Sequence, residues 1–168
     1  MNKNSYKDLE LEESMGFERK NWIAERIAWV LLTLFVLAAL IGLFGRGGIS
    51  SAKAGSAEQG MEAEYERFLR YHTSDNITFL VENSAKDSTY QLHLGTEWLE
   101  KVKIERVVPQ PESEIATKDG IEYTFRVSPG HSPLRLCFYF EPHKTGTATV
   151  SVTSSDGKSL SFSQFIYP

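Results

Sequence analysis

The residues from Ile27 to Gly45, IAWVLLTLFVLAALIGLFG, contain no charged side chain, and Arg26 and Arg46 close the run at its two ends. Wound as an α-helix, these 19 residues rise roughly 28 Å, about the thickness of a bilayer's hydrocarbon core. No other stretch of the chain is as long or as apolar. One membrane-spanning helix is therefore expected, with Trp22, Arg26, Trp29 and Arg46 as its interfacial residues. Orientation follows from Lys and Arg near the span. Lys7, Arg19, Lys20 and Arg26 precede it, against Arg46 and Lys53 after it, so the N-terminus is expected in the cytoplasm and the C-terminal part outside it.

A cleavable signal peptide is the rival reading, and its details fit poorly. The apolar run exceeds a signal core, and the segment before it is long for a signal's basic region. The small-x-small site at Ala52-Lys53-Ala54 also lies well beyond Phe44. Within the span, Ala38, Ala39 and Gly42 form a candidate face of small side chains where a second helix could approach closely. The run from Ile27 to Gly45 holds no Asp, Glu, Lys, Arg or His, so an ion or proton path has no candidate residue there.

The rest divides by composition. Residues 1–21 read as a polar, acidic cytoplasmic tail in which Gly16 interrupts a weak helical pattern. Residues 22–45 are the transmembrane helix, and 46–60 a Gly/Ala/Ser-rich linker. Residues 61–168 are long enough for one extracytoplasmic domain with its own core. In that domain the apolar period changes to two. Ile121, Tyr123, Phe125 and Val127 alternate with polar residues, as do Ala148, Val150 and Val152, Ile77, Phe79 and Val81, and Val102 and Ile104. Each set predicts a half-buried strand. The run Leu134 to Phe140, apolar on both faces, predicts a strand flanked on both sides.

Turn residues punctuate these strands at Lys118-Asp119-Gly120, Ser128-Pro129-Gly130, Thr145-Gly146 and Ser155-Asp156-Gly157-Lys158. Asp156-Gly157 is a type I′ hairpin cue. The segment Glu62 to Tyr71 fits a helical or a strand period, and its placement before a turn favours a strand. The expected fold is mainly β: one N-terminal transmembrane helix followed by an immunoglobulin-like antiparallel sandwich of seven or eight strands, with a small barrel as the alternative.

Chemistry-bearing motifs are sparse. Cys137 is the one cysteine; it has no internal disulfide partner and reads as a small hydrophobe. With no cysteine near the helix end, a lipoprotein-type anchor is not expected. His72, His93, His131 and His143 lack the local spacing of a metal pair, although His131 and His143 could converge from loops flanking the Leu134 strand. No nucleophile elbow, zinc-protease or phosphate-loop pattern occurs. A net charge of −4 without a basic stripe argues against nucleic-acid binding. Pro109 and Pro111 mark a loop or sheet edge suited to contact. The expectation is a non-enzyme with no cofactor and no bound metal.

The stretch NWIAERIAWVLLTLFVLAALIGLFGRGGIS, together with YERFLRY and the terminal DGKSLSFSQFIYP, resembles small single-pass bacterial inner-membrane proteins of unestablished activity that carry an extracytoplasmic β-sandwich. The resemblance implies a location and transfers no site residue. The function expected is that of an accessory or assembly subunit, touching lipid and an integral membrane protein or a second copy of itself. The alternative is a tethered domain that binds or senses a small molecule or envelope polymer.

Overall fold

The computed structural model describes residues 15–40, 50–82, 88–127 and 133–168. The chain forms two compact units, divided between Leu40 and Ile41. The first contains α1, Met15–Leu40. It begins earlier than the composition boundary at residue 22, and Gly16 lies inside it: one glycine costs a helix only about 1 kcal/mol. Arg19–Leu40 is long and apolar enough to cross a membrane, and the protein buries none of it. Residues 41–45, which complete the expected span, lie outside the described residues.

The second unit is a two-sheet sandwich of eleven strands among the described residues. The five-stranded sheet has β1 (Ser51–Ser56), β2 (Met61–Glu66), β4 (Asp75–Val81), β9 (Leu134–Pro142) and β6 (Val102–Val108) in that lateral order. The six-stranded sheet is ordered β3 (Phe68–Arg70), β11 (Ser159–Tyr167), β10 (Gly146–Ser154), β5 (Thr89–Gly95), β8 (Gly120–Arg126) and β7 (Ser113–Thr117). Only the short β3–β11 pair is parallel. Neither sheet closes into a barrel.

Four expectations change. Residues 51–56, placed in the linker by composition, are a strand: all six pair with β2, from Ser51 opposite Glu66 to Ser56 opposite Met61. Ala52 and Ala54 turn inward, and small side chains suffice at a sheet's edge. The ambiguous segment is extended but broken. Its strands separate at Arg67, whose N–H donates to the Ser50 carbonyl and whose carbonyl accepts from Phe165, so one stretch of chain serves both sheets. The strand count exceeds seven or eight because β1, β3 and β7 are short edge strands with little apolar alternation. A short α2 (Thr96–Leu99) also interrupts the strands, and its Trp98 is fully buried.

The hairpin at Asp156-Gly157 is present but is not type I′. Gly157 adopts φ +80 while Asp156 is absent from the positive-φ residues. The Ser154 N–H donates to the Lys158 carbonyl at 2.8 Å, closing a three-residue loop with glycine in the left-handed position.

The core lies between the sheets. Phe79, Phe138 and Phe140 of the five-stranded sheet meet Tyr123 and Phe125 of the six-stranded one, with Phe138 edge-on to Tyr123 at 5.2 Å. A large polar side chain also enters this interior. Gln164, on the inner face of β11, accepts from Trp98 Nε1 at 3.0 Å and donates to the Glu66 carbonyl at 2.8 Å. It thereby ties α2, β2 and β11 together and satisfies two groups that burial would otherwise leave unpaired.

Candidate contact surfaces

Because strand side chains alternate between faces, each sheet turns one set of residues inward and the other outward. The two outward sets differ in kind. On the five-stranded sheet they include Lys53 of β1, Glu62, Glu64 and Glu66 of β2, Arg135 and Glu141 of β9, and Lys103 and Arg106 of β6. These charges engage one another. Lys53 Nζ reaches Glu62 at 2.7 Å and Glu64 at 2.8 Å, which raises the Lys53 pKa and lowers that of Glu64. The Arg106 guanidinium lies over the Tyr139 ring at 4.3 Å. Cys137, expected as a core residue, sits on this outward face half-buried, accepting from Thr78 Oγ1 at 3.7 Å.

On the six-stranded sheet, β10 and β11 present Thr147, Thr149, Ser151 and Thr153 beside Ser159, Ser161, Ser163 and Phe165. The register makes four cross-strand pairs: Thr147 with Phe165, Thr149 with Ser163, Ser151 with Ser161, and Thr153 with Ser159. This strip carries seven hydroxyls, one phenyl and no charge. On the neighbouring strand β5, Gln91 and His93 stand outward, with His93 in register beside Thr153. Gly95 stands opposite Gly120, and a Cβ on Gly95 would come 2.0 Å from Ser151 Oγ, so the bare backbone is required for that close approach. Charged groups flank the strip at the start of β10, where Lys101 Nζ donates to the Thr147 carbonyl, toward β7 and β8, where Arg126 pairs with Glu112, and at the opposite edge on Arg70 of β3.

Among the hollows formed by the described residues of the second unit, three bear on function. The first, about 470 Å³, runs over β1, β2 and β4 and is lined by Ser51, Lys53, Glu64, Glu66, Asn76 and other side chains. Ser51 Oγ donates to Glu66 Oε1 at 2.7 Å, while Glu66 Oε2 is buried without a hydrogen-bond partner among the described residues. The second, about 390 Å³, lies where β6 and β7 leave the sandwich's side open, between Ile104, Glu114 and Tyr123. The third, about 490 Å³, joins His72, Lys103, Glu141 and His143, with His72 Nδ1 2.5 Å from Glu141 Oε1. None has several aromatic side chains around converging polar groups, the usual form of a small-molecule site.

The third hollow brings together His72 and His143, which sequence spacing kept apart. His72 N–H donates to the Pro142 carbonyl and His143 N–H to the Lys101 carbonyl, contacts that depend on tertiary pairing. His131 lies outside the described residues, so its expected approach to His143 goes unanswered. Among the described residues no three His, Cys, Asp or Glu side chains are grouped to hold a metal ion.

The other expected site residues fall in separate places. Trp22 and Trp29 are exposed on α1, with the Arg26 guanidinium 3.7 Å over the Trp22 ring. Ala38 and Ala39 lie in the last turn of α1, while Gly42 and Arg46 are outside the described residues. Pro109 is exposed and Pro111 half-buried in the connection from edge strand β6 to edge strand β7. They therefore sit at an edge, as their sequence suggested, and away from the hydroxyl strip.

Buried ionisable groups concentrate in the six-stranded sheet. Burial pushes the Tyr90 and Tyr123 hydroxyls up to about 12. The Tyr90 hydroxyl lies beside Ser154, whose interaction lowers its pKa against the larger push of burial, but no contact there has full hydrogen-bond geometry, because Ser154 is engaged with Asp156 and the Lys158 carbonyl. Burial also pushes the Asp156 carboxyl up, but hydrogen bonds from Lys158 and Ser154 outweigh it and hold the group below its ordinary range. These are features of a closed core and a tight hairpin, without the converging geometry of an acid–base pair. The chain matches no protein-family model, and no curated protein matches its sequence significantly.

Proposed function

We propose that the chain is a single-pass subunit of a bacterial inner-membrane complex, with its N-terminus in the cytoplasm and its sandwich outside, and that it acts by protein–protein contact without catalysis. The observation that carries this reading is the uncharged strip on β10 and β11. A face that meets only water normally carries charges, and desolvating them against a partner is costly. Small hydroxyls have a lower desolvation cost and can exchange hydrogen bonds with water for bonds to a partner's backbone. The central part of a protein interface is depleted of charge for the same reason. Serine is also a poor strand former relative to threonine or valine, so Ser159, Ser161 and Ser163 are not explained by strand propensity. Small size at these positions lets another backbone approach closely.

α1 supplies the anchor, and the interfacial pair Trp22 and Arg26 fits a lipid headgroup level. Two experiments test the reading. A reporter fused after Pro168 is expected to be active outside the cytoplasm, and cytoplasmic activity overturns the orientation. Extraction in mild detergent is expected to retain one integral membrane protein at constant stoichiometry. Recovery of this chain alone, with no partner, overturns the subunit role.

A further inference from the structure

Ser50, the first described residue after α1, is fully buried and ties the entering chain to the start of β3. Its carbonyl accepts from the Arg67 N–H at 2.7 Å and its Oγ from the Phe68 N–H at 3.4 Å. Around this attachment the outward side chains change character. β3 and β11 run parallel with Phe68 beside Phe165, and the alternation that buries Leu69 and Ile166 turns both rings and Arg70 outward. Phe165, which ends the hydroxyl strip, is 47% exposed, and Tyr71 is 37% exposed. Arg67 and Arg70 are exposed as well. Neither has a carboxylate within ion-pair distance among the described residues, whereas Lys53, Arg126 and Lys158 each have one.

We infer that this corner, formed by Phe68, Arg70, Tyr71 and Phe165 with Arg67 beside them, rests on the headgroup layer of an anionic phospholipid bilayer. The length of the tether identifies the occupant. From Gly45, the last residue of the uncharged run, to Ser50 the chain covers at most about 18 Å even when fully extended. The headgroup layer takes up roughly 5–8 Å of that distance. A patch bonded directly to Ser50 is thus held within reach of lipid headgroups. Its chemistry matches them: aromatic rings collect at the membrane–water interface, and arginines without carboxylate partners can bind phosphate oxygens in a fork. The inference rests on α1 as the membrane anchor and is independent of the proposed protein partner.

The test uses the full chain with Cys137→Ser, reconstituted without other proteins in phosphatidylethanolamine/phosphatidylglycerol vesicles that include a lipid with a nitroxide on its headgroup. The thiol label bimane is attached at Thr147→Cys, opposite Phe165, or at Thr153→Cys, on the same face of β10 and about 20 Å farther along the strand. Strong quenching is expected at Thr147→Cys and weak quenching at Thr153→Cys. Each arginine near an anionic surface shifts the balance about 5-fold, so adding Arg67→Glu and Arg70→Glu is expected to bring Thr147→Cys down to the Thr153→Cys level. Phosphatidylcholine vesicles with the same nitroxide lipid should lower quenching at Thr147→Cys without any change to the protein, so this arm does not depend on a variant folding. Equal quenching at the two positions in the anionic vesicles overturns the inference. So does quenching at Thr147→Cys that survives the double charge reversal, or that is the same in both lipids. Flotation with the vesicles reports the anchor separately: a chain that floats and fails these comparisons keeps its anchor and loses only the corner contact, whereas a chain that does not float overturns both.

Discussion

The two outward faces of the sandwich are built on the same strand geometry and carry opposite chemistry. The five-stranded sheet shows water a network of Lys, Arg and Glu, with Lys53 between Glu62 and Glu64. The β10–β11 strip of the six-stranded sheet shows hydroxyls and Phe165. Both faces are compatible with the same core, because inward residues alone decide sheet packing. The difference therefore concerns what each face meets. Charges suit a face that remains solvated, whereas small uncharged side chains suit one that is covered.

The largest expected effect comes from placing charge on the strip. Thr149→Glu combined with Ser161→Glu is expected to weaken retention of the proposed membrane partner by at least about 30-fold, the scale of roughly 2 kcal/mol for an unpaired charge at an interface. The thermal transition of the purified variant should stay close to that of the parent. Arg135→Glu on the other face is expected to leave retention unchanged. Quantitative co-purification of the three proteins distinguishes these outcomes, and equal losses from both faces would erase the contrast.

Next is the polar side chain that joins the sheets. Gln164→Leu leaves Trp98 Nε1 and the Glu66 carbonyl without the partners they have at 3.0 and 2.8 Å. A loss of about 2–4 kcal/mol in urea unfolding is expected, since each orphaned buried group costs about 1–3 kcal/mol. A loss below about 1 kcal/mol would mean that water or another side chain replaces Gln164.

The contrast between sheets extends to alkaline pH. Tyr90 and Tyr123 both belong to the six-stranded sheet, and their folded values near 12 lie above the ordinary 10.0. Their contribution to stability is fully present below pH 10 and is lost as pH rises toward 12, because the unfolded chain ionises first. Unfolding midpoints should fall through that window, and Tyr123→Phe should flatten the fall. At neutral pH, Tyr90→Phe is expected to change stability by less than about 1 kcal/mol or to raise it, as it removes a hydroxyl that has no described partner. A marked loss would show that the hydroxyl is bonded.

The smallest effect is expected on the charged face. Lys53→Ala should leave the midpoint in physiological salt unchanged within error, since exposed ion pairs are screened and entropically costly to hold. Glu64, whose carboxyl is held below its ordinary 4.5 by Lys53, contributes stability above that value and loses it as pH falls through its lowered one. Lys53→Ala should remove this acid-side dependence in low-salt titrations.

Much of this arrangement was legible in the residues and some was not. The apolar run and the alternation at Ile121–Val127 and Ala148–Val152 carry local signals, and each became a helix or strand as expected; Asp156-Gly157 marked a hairpin, though not its turn type. β1 carried none: Ser51–Ser56 has linker composition, and only its pairing with Met61–Glu66 makes it a strand. The split of Glu62–Tyr71 between two sheets depends on bonds from Arg67 to Ser50 and Phe165, which no local period records. The strip lies between these cases. Each Ser and Thr was visible, but their assembly on one face depends on the β10–β11 register. Gln164 shares the period-two face of Leu160, Phe162 and Ile166, so its inward direction was legible, while its meeting with Trp98 depends on tertiary packing.

The most direct test is cysteine accessibility in native membranes, in a Cys137→Ser background, comparing Ser161→Cys with Lys53→Cys. With a membrane-impermeant maleimide added from the extracytoplasmic side, Ser161→Cys is expected to label slowly in the intact membrane and rapidly once the chain is purified away from its partner. Lys53→Cys is expected to label rapidly in both. Equally rapid labelling at both positions in the membrane would show the strip to be open to water and would contradict the account.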